Sequence, residues 1–240
     1  MNSSKSNLAN KNKKPIFKNN NLSQLFKLIS EKRGFFALIL ANLVTQLYIS
    51  YYVSENVKIE DDEDNKKFNN KLIGAYIAAF VLILILAFIT MPAWLKFVLF
   101  SLFSFAFGVI LGYRKSGVDP NIVKSALVGT GSIFVFMFAF GVALIASGIK
   151  LGLTFGLGLF FALLFLLIIS IVQFFIFNSS FLKKIIVIGS LMLFSLYIMF
   201  DTNSILQRNY NGDFITASLD YYLDIINIFS GLLTGLEFDN

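Results

Sequence analysis

DFITASLDYYLDIINIFSGLLTGL (Asp213–Leu236) is the stretch on which the fold turns. It is long enough to cross a bilayer core, which takes about 20 helical residues, yet it carries three acids. At 100° per residue, Asp213, Ala217, Asp220, Asp224, Asn227, Gly231 and Gly235 fall within about 40° of one line along the helix. The remaining surface is Leu, Ile, Phe and Tyr. An acid at the centre of a span costs about 2.5–3.5 kcal/mol on insertion scales. Acids gathered on one stripe therefore face other helices and not lipid.

The preceding apolar segment, Ile185–Phe200 with a continuation to Leu206, carries a matching stripe. Ser190, Tyr197, Asp201, Ser204 and Arg208 lie within about 60° of one another. A short connection joins the two segments, so the stripes can face each other. Counted from the connection near Tyr210 at 1.5 Å per residue, Asp201 and Asp220 lie about 14–15 Å deep and Asp224 about 21 Å deep. Local readings compete with a functional one. Asp201 could cap a helix end, Asp220 could sit at the headgroup level, and Asp213, which follows Asn211-Gly212, suits an N-cap. Capping is the weakest reading for Asp224. The functional reading brings Asp201 together with Asp224, leaving Asp220 as the other depth-matched partner. Two carboxyl groups at close approach share a proton more cheaply than they both ionise, which makes a proton-sensitive latch and, once the proton leaves, a cation site.

Working outward, five more apolar segments appear: Phe35–Val53, Leu72–Thr90 ended by Met91-Pro92, Leu95–Tyr113, Ser125–Ser147 and the long Leu151–Phe177. Seven spans make an all-α polytopic membrane protein, with domain limits at 1–34, 35–236 and 237–240. The composition agrees: 57% hydrophobic and 14% charged residues, with a mean hydropathy of +0.75, against about 25% charge in a soluble domain. A localisation follows, integral and multi-pass, with the particular membrane left open.

With no Cys and no His, disulfides, thiolate zinc sites, thiol nucleophiles and imidazole switches are excluded. No cofactor is expected, and no enzyme activity, since the Tyr-Asp and Gly-x-Gly-Asp motifs of intramembrane aspartyl proteases are absent. The net charge of +6 is local. Residues 1–34 hold eight bases and one acid, and they read as a disordered basic tail with a short surface helix over 22–29. That is no nucleic-acid face; the expected partners are the bilayer, Ca²⁺, protons and other membrane proteins. The tail also places the N-terminus in the cytoplasm, and seven spans put the C-terminus on the far side. The acidic run Glu60–Asp64 reads as a solvated loop lacking Ca²⁺-loop spacing.

Small residues mark close helix contacts. Ser101, Ser104, Gly108 and Gly112 share a face of the third span, and Gly148, Gly152 and Gly156 form a GxxxGxxxG run into the fifth.

Phe200-Asp201-Thr202-Asn203 resembles the aromatic-Asp-Thr-Gln/Asn signature of the Bax inhibitor family, the transmembrane BAX-inhibitor-motif proteins. Tyr221-Tyr222-Leu223-Asp224-Ile225-Ile226-Asn227-Ile228-Phe229 resembles its Leu-Tyr-Leu-Asp-Ile-Ile-Asn-Leu-Phe. Asp213-Phe214-Ile215 is similar to its Asp-Tyr-Ile, and Ala126, Thr130 and Phe134 fit its AxxxTxxxF. Phe107-Gly108 and Leu111-Gly112-Tyr113 fit its third helix. The resemblance covers residues 97–236. It implies seven helices with the last one central, and a pH-sensitive Ca²⁺ leak gated by a carboxylate pair at Asp201 and Asp224. Asp220, Asn227, Arg208 and Asp213 make a secondary polar stripe, and Ca²⁺ passes as permeant ion at Asp201 and Asp224. It also implies resistance to cell death in eukaryotic and viral members and association with membrane proteases in some bacterial ones. The acidic end, Leu236–Asn240, departs from the basic tail of some relatives. Two function classes stand: a pH-gated Ca²⁺ leak, and a membrane interaction protein that modulates other machinery such as a protease, its acids being structural.

Overall fold

The computed structural model describes residues 19–57, 65–177, 179–207 and 210–238. Among these residues the chain forms seven α-helices and no strand: α1 Asn19–Asn56, α2 Asn65–Phe88, α3 Ala93–Lys115, α4 Pro120–Ala146, α5 Leu153–Val172, α6 Ser180–Gln207 and α7 Phe214–Glu237. Six of them, α1 to α6, contain a stretch long and apolar enough to cross a membrane. The seventh, with Asp220, Asp224 and Asn227 in its sequence, contains no such stretch and occupies the centre. It contacts α1, α3, α4 and α6, while α2 packs on α3 and α5 on α6 at the periphery. Ile215, Ala217, Tyr221, Tyr222, Ile226, Ile228 and Leu233 of α7 are all buried. Lipid-facing leucines and phenylalanines cover the outer helices, as expected where the surrounding solvent is itself apolar.

The element borders follow local chemistry. Pro92 precedes α3 and breaks the chain after α2. Asp119 caps α4, its carboxylate accepting from the Asn121 N–H, with Pro120 in the first turn. The α5 helix continues through a wide π-type turn at Gln173–Phe177, which accounts for the length of that apolar segment.

Two expectations are corrected. The helix of α1 starts at Asn19, so residues 19–34 are its opening turns and the 22–29 stretch is no separate surface helix. Its Lys32 donates from Nζ to the Ile205 carbonyl at 2.8 Å, a cation at the C-terminal end of α6 where the helix dipole favours it. Residues 1–18 and the acidic run Glu60–Asp64 lie outside the described residues. Secondly, Gly148, Gly152 and Gly156 do not share a helix face. Gly148 sits at φ +81° in the α4–α5 turn, a conformation open chiefly to glycine, and Gly152 immediately precedes α5. Only Gly156 meets another helix, where the Phe200 ring leaves no room for a Cβ.

The third-span glycines do act as expected. A Cβ on Gly108 would lie 2.7 Å from Val53 Cβ and 2.8 Å from the Ser50 carbonyl, and one on Gly112 would lie 2.8 Å from Val57 Cβ. Close approach of α1 and α3 lets a polar column form between them and α7. Gln46 donates to Asn42 and Ser101 and accepts from Ser104 at 2.9 Å. The Asn42 amide donates to Ser218. The Ser50 hydroxyl meets the Ser104 carbonyl at 2.8 Å and Tyr222 Oη at 2.5 Å. Asn42, Gln46, Ser50 and Ser54 recur every fourth residue and are all buried, an i, i+4 stripe the sequence reading passed over because it holds no charge.

A crossing by α7, added to those of the six helices long and apolar enough to span, would put the two chain ends on opposite sides. A reporter fused after Asn240 is expected to read on the side opposite the basic tail; a reading on the same side would reduce the crossings to six.

Candidate functional site

Asp201 lies inside α6, one and a half turns before its end, so it caps nothing. It is 7% exposed and Asp224 is 4% exposed. Their carboxyl groups lie within hydrogen-bonding reach of each other. The depth count from the connection placed Asp220 level with Asp201, and the reason Asp224 arrives instead is side-chain direction. In a helix each Cα–Cβ bond leans toward the N-terminus. The α6 and α7 helices are antiparallel, so Asp201 leans away from the connection and Asp224 leans back toward it, closing the offset. Asp220 leans past the pair toward the connection, where Tyr210 Oη donates to its Oδ2 at 3.3 Å.

Neighbouring residues hold the pair. Thr202 Oγ1 and Tyr221 Oη are 2.8 Å apart, which ties α6 to α7 beside the carboxyls. Phe134 of α4 packs edge-on against Tyr221, with centroids 5.4 Å apart. Asn203 fastens the α4–α5 turn by accepting from the Leu151 N–H at 2.9 Å and donating to the Ile149 carbonyl at 3.1 Å. Thus the Asp-Thr-Asn run performs three tasks at successive residues: one carboxyl in the core, one interhelical hydroxyl and one loop clamp. Tyr197 of α6 also feels both carboxyls, and Lys96 of α3 feels Asp220. Asp224 Oδ2 and Ser204 Oγ have no hydrogen-bond partner among the described residues. No three acidic, His or Cys side chains among those residues group as a metal set.

The rest of the expected stripe separates. Asn227 turns its amide to the Leu223 carbonyl of its own helix at 2.7 Å. Arg208 lies outside the described residues. Asp213 is the N-cap of α7, accepting from the Thr216 N–H at 3.0 Å, and its Oδ2 meets Lys96 Nζ at 2.5 Å.

Partial burial works to raise the Asp213 carboxyl. The hydrogen bonds from Lys96 and from the Thr216 N–H and hydroxyl outweigh it and hold the group below its ordinary range. For a lowered folded value, the contribution to stability is present above the unfolded value of about 3.9 and lost as pH falls through the folded one. The pair is partly exposed, so screening limits its share. Asp213→Ala is expected to cost about 1 kcal/mol as a lost cap, read as thermal stability in detergent near neutral pH. The gap from wild type should narrow in strong acid. Tyr210, in the turn Tyr210–Gly212, has its phenol pushed up by burial and then by the charge of Asp220.

A family profile described as "Inhibitor of apoptosis-promoting Bax1" matches residues 28–240. The "Golgi anti-apoptotic protein" of vaccinia virus (strain Lister) is 30% identical over 122 residues, 51% of this chain and 49% of that protein. "Protein lifeguard 4" of Mus musculus is 29% identical over 119 residues, 50% of this chain and 48% of that protein. "Bax inhibitor 1" of Schizosaccharomyces pombe is 30% identical over 139 residues, 58% of this chain and 50% of that protein. The chain thus spans about half the length of the curated relatives it matches.

Proposed function

The chain belongs to the family of inhibitors of apoptosis-promoting Bax1, and on that premise we propose that it is a pH-sensitive Ca²⁺ leak of the membrane in which it sits. The observation that carries this reading is the meeting of the Asp201 and Asp224 carboxyls on the central helix pair, away from lipid. With one proton shared, the pair is a hydrogen bond that holds α6 against α7. With both groups ionised, it is a repulsive contact and a cation-attracting one. Among the described residues, the facing titratable groups on the packed elements are Tyr197 of α6, Asp220 and Tyr221 of α7, and Tyr210 of the connection, with Lys96 of α3 acting through Asp220. None among them is a cation beside the pair that would take the proton's place.

Control of Ca²⁺ across an internal or surface membrane would connect this chain to the cell-death role printed in its relatives' names. The test is flux from proteoliposomes holding the purified chain and a Ca²⁺ dye. A leak that changes with pH over the range where proteins are generally most stable, about pH 5–8, is the expected result. Absence of flux at every pH in that range would sink the channel reading and leave a membrane protein that acts by binding other membrane machinery.

A further inference from the structure

Between α1 and α4 the bundle is open. The α1 helix is drawn toward α3 by Gly108, Gly112 and the polar column, and it touches α4 only sparsely. The result is a crevice of about 720 Å³ whose floor is Ile225, Ile226 and Phe229 of α7. One wall runs from Leu40 to Glu55 of α1, the other from Pro120 to Phe134 of α4. At 1.5 Å per residue each wall is about 21–22 Å long. Since half of a bilayer's hydrocarbon core is about 15 Å, the crevice reaches from one headgroup layer to about the membrane midplane.

Its chemistry is graded along that length. The deep part is Leu, Val, Ile and Phe. The mouth holds Glu55, Lys115 and Lys124. Lys115 is committed to an ion pair with Glu55 and stands over the Tyr51 ring. Lys124 is exposed and has no ion pair among the described residues. Val44, Tyr48 and Leu127 along the walls are exposed, so the crevice opens sideways to lipid. Gly131, on the α4 wall, has nothing within 4 Å of where a Cβ would be.

We propose that this crevice is a binding site for one phospholipid, with an acyl chain along α7 and the headgroup phosphate on Lys124. The length, the one-leaflet depth, the sideways opening and the cation at the mouth all match that ligand. A partner helix would require no charge at the mouth and would not stop at the midplane. The bound chain would pack on Ile225 and Ile226, the residues that follow Asp224, so its occupancy would support the face of α7 behind the carboxyl pair. The inference needs only the membrane-embedded fold and stands whether or not the chain passes Ca²⁺.

Native mass spectrometry of the full chain, purified in detergent and incubated with phosphatidylglycerol, tests it. Wild type is expected to retain one lipid. Gly131→Phe, which fills the crevice, should abolish retention, and Lys124→Glu should weaken it about tenfold, as loss of one charged contact of about 1.4 kcal/mol would. Thermal unfolding of each variant checks folding, and Leu127→Trp serves as the filling variant if Gly131→Phe does not fold. Equal retention by wild type and variants would place the lipid elsewhere and overturn the proposal. So would a protein dimer that the filling variant dissolves, since the occupant would then be a second copy.

Discussion

Asp201→Asn and Asp224→Asn are each expected to flatten the pH dependence of Ca²⁺ flux, and the double variant to add little beyond either single one. The reason is Coulombic. Two like charges about 4 Å apart repel by about 4 kcal/mol even at an effective dielectric near 20, which is close to a thousandfold in a two-state packing equilibrium. An Asn in either position keeps a hydrogen bond to its partner but removes the second charge, so neither variant can reach the repelled state. Because the two groups titrate as one unit, their effects should not sum. Asp220→Asn is the informative comparison. Asp220 takes its hydrogen bond from Tyr210 and interacts with Asp201 through charge alone, so its replacement should shift the pH midpoint while leaving a response. Abolition by Asp220→Asn with Asp224→Asn still responsive would reverse the pairing.

The site was largely legible because charge in an apolar segment is a strong signal. Asp201, Asp220 and Asp224 could be placed on facing stripes from the 100° rule alone. Depth was the weaker step. Counting residues from the connection treats side chains as if they left the axis at right angles, and the lean of Cβ toward each N-terminus is what selects Asp224 over Asp220. The buried column Asn42–Gln46–Ser50–Ser54 obeys the same angular rule and was open to the same count, but uncharged polar residues in a span are cheap enough to pass as ordinary. The small-residue patterns divided for another reason. Gly108 and Gly112 lie mid-helix beside a partner, whereas Gly148 and Gly152 belong to a turn; spacing alone carries no information on whether the residues between are helical. The central place of α7 was expected from the family resemblance; its acids alone required only that their stripe face other helices, which a bundle meets by enclosing that face.

Gly141→Ala should be among the most damaging single-methyl changes in the molecule. A Cβ there would lie 2.7 Å from the Met199 carbonyl oxygen and 2.8 Å from Thr202 Cβ. The first is backbone and the second is fixed at the root of a side chain that bonds Tyr221, so neither can rotate away. Relief must come from moving α6 off α4, and overpacking of this kind costs about 1–3 kcal/mol. The displacement would fall on the run Asp201-Thr202-Asn203. It would stretch the Thr202–Tyr221 contact and the Asn203 clamp on the α4–α5 turn, so stability and any pH response should fail together. Gly131→Ala, ten residues earlier on the same helix, supplies the control. Its Cβ would enter open space, and the gain in helix propensity is worth up to about 1 kcal/mol, so its thermal midpoint should hold or rise. A Gly141→Ala protein as stable as Gly131→Ala would mean that α4 and α6 can separate freely. The contact across Gly141 would then have no part in holding the carboxyl pair in place.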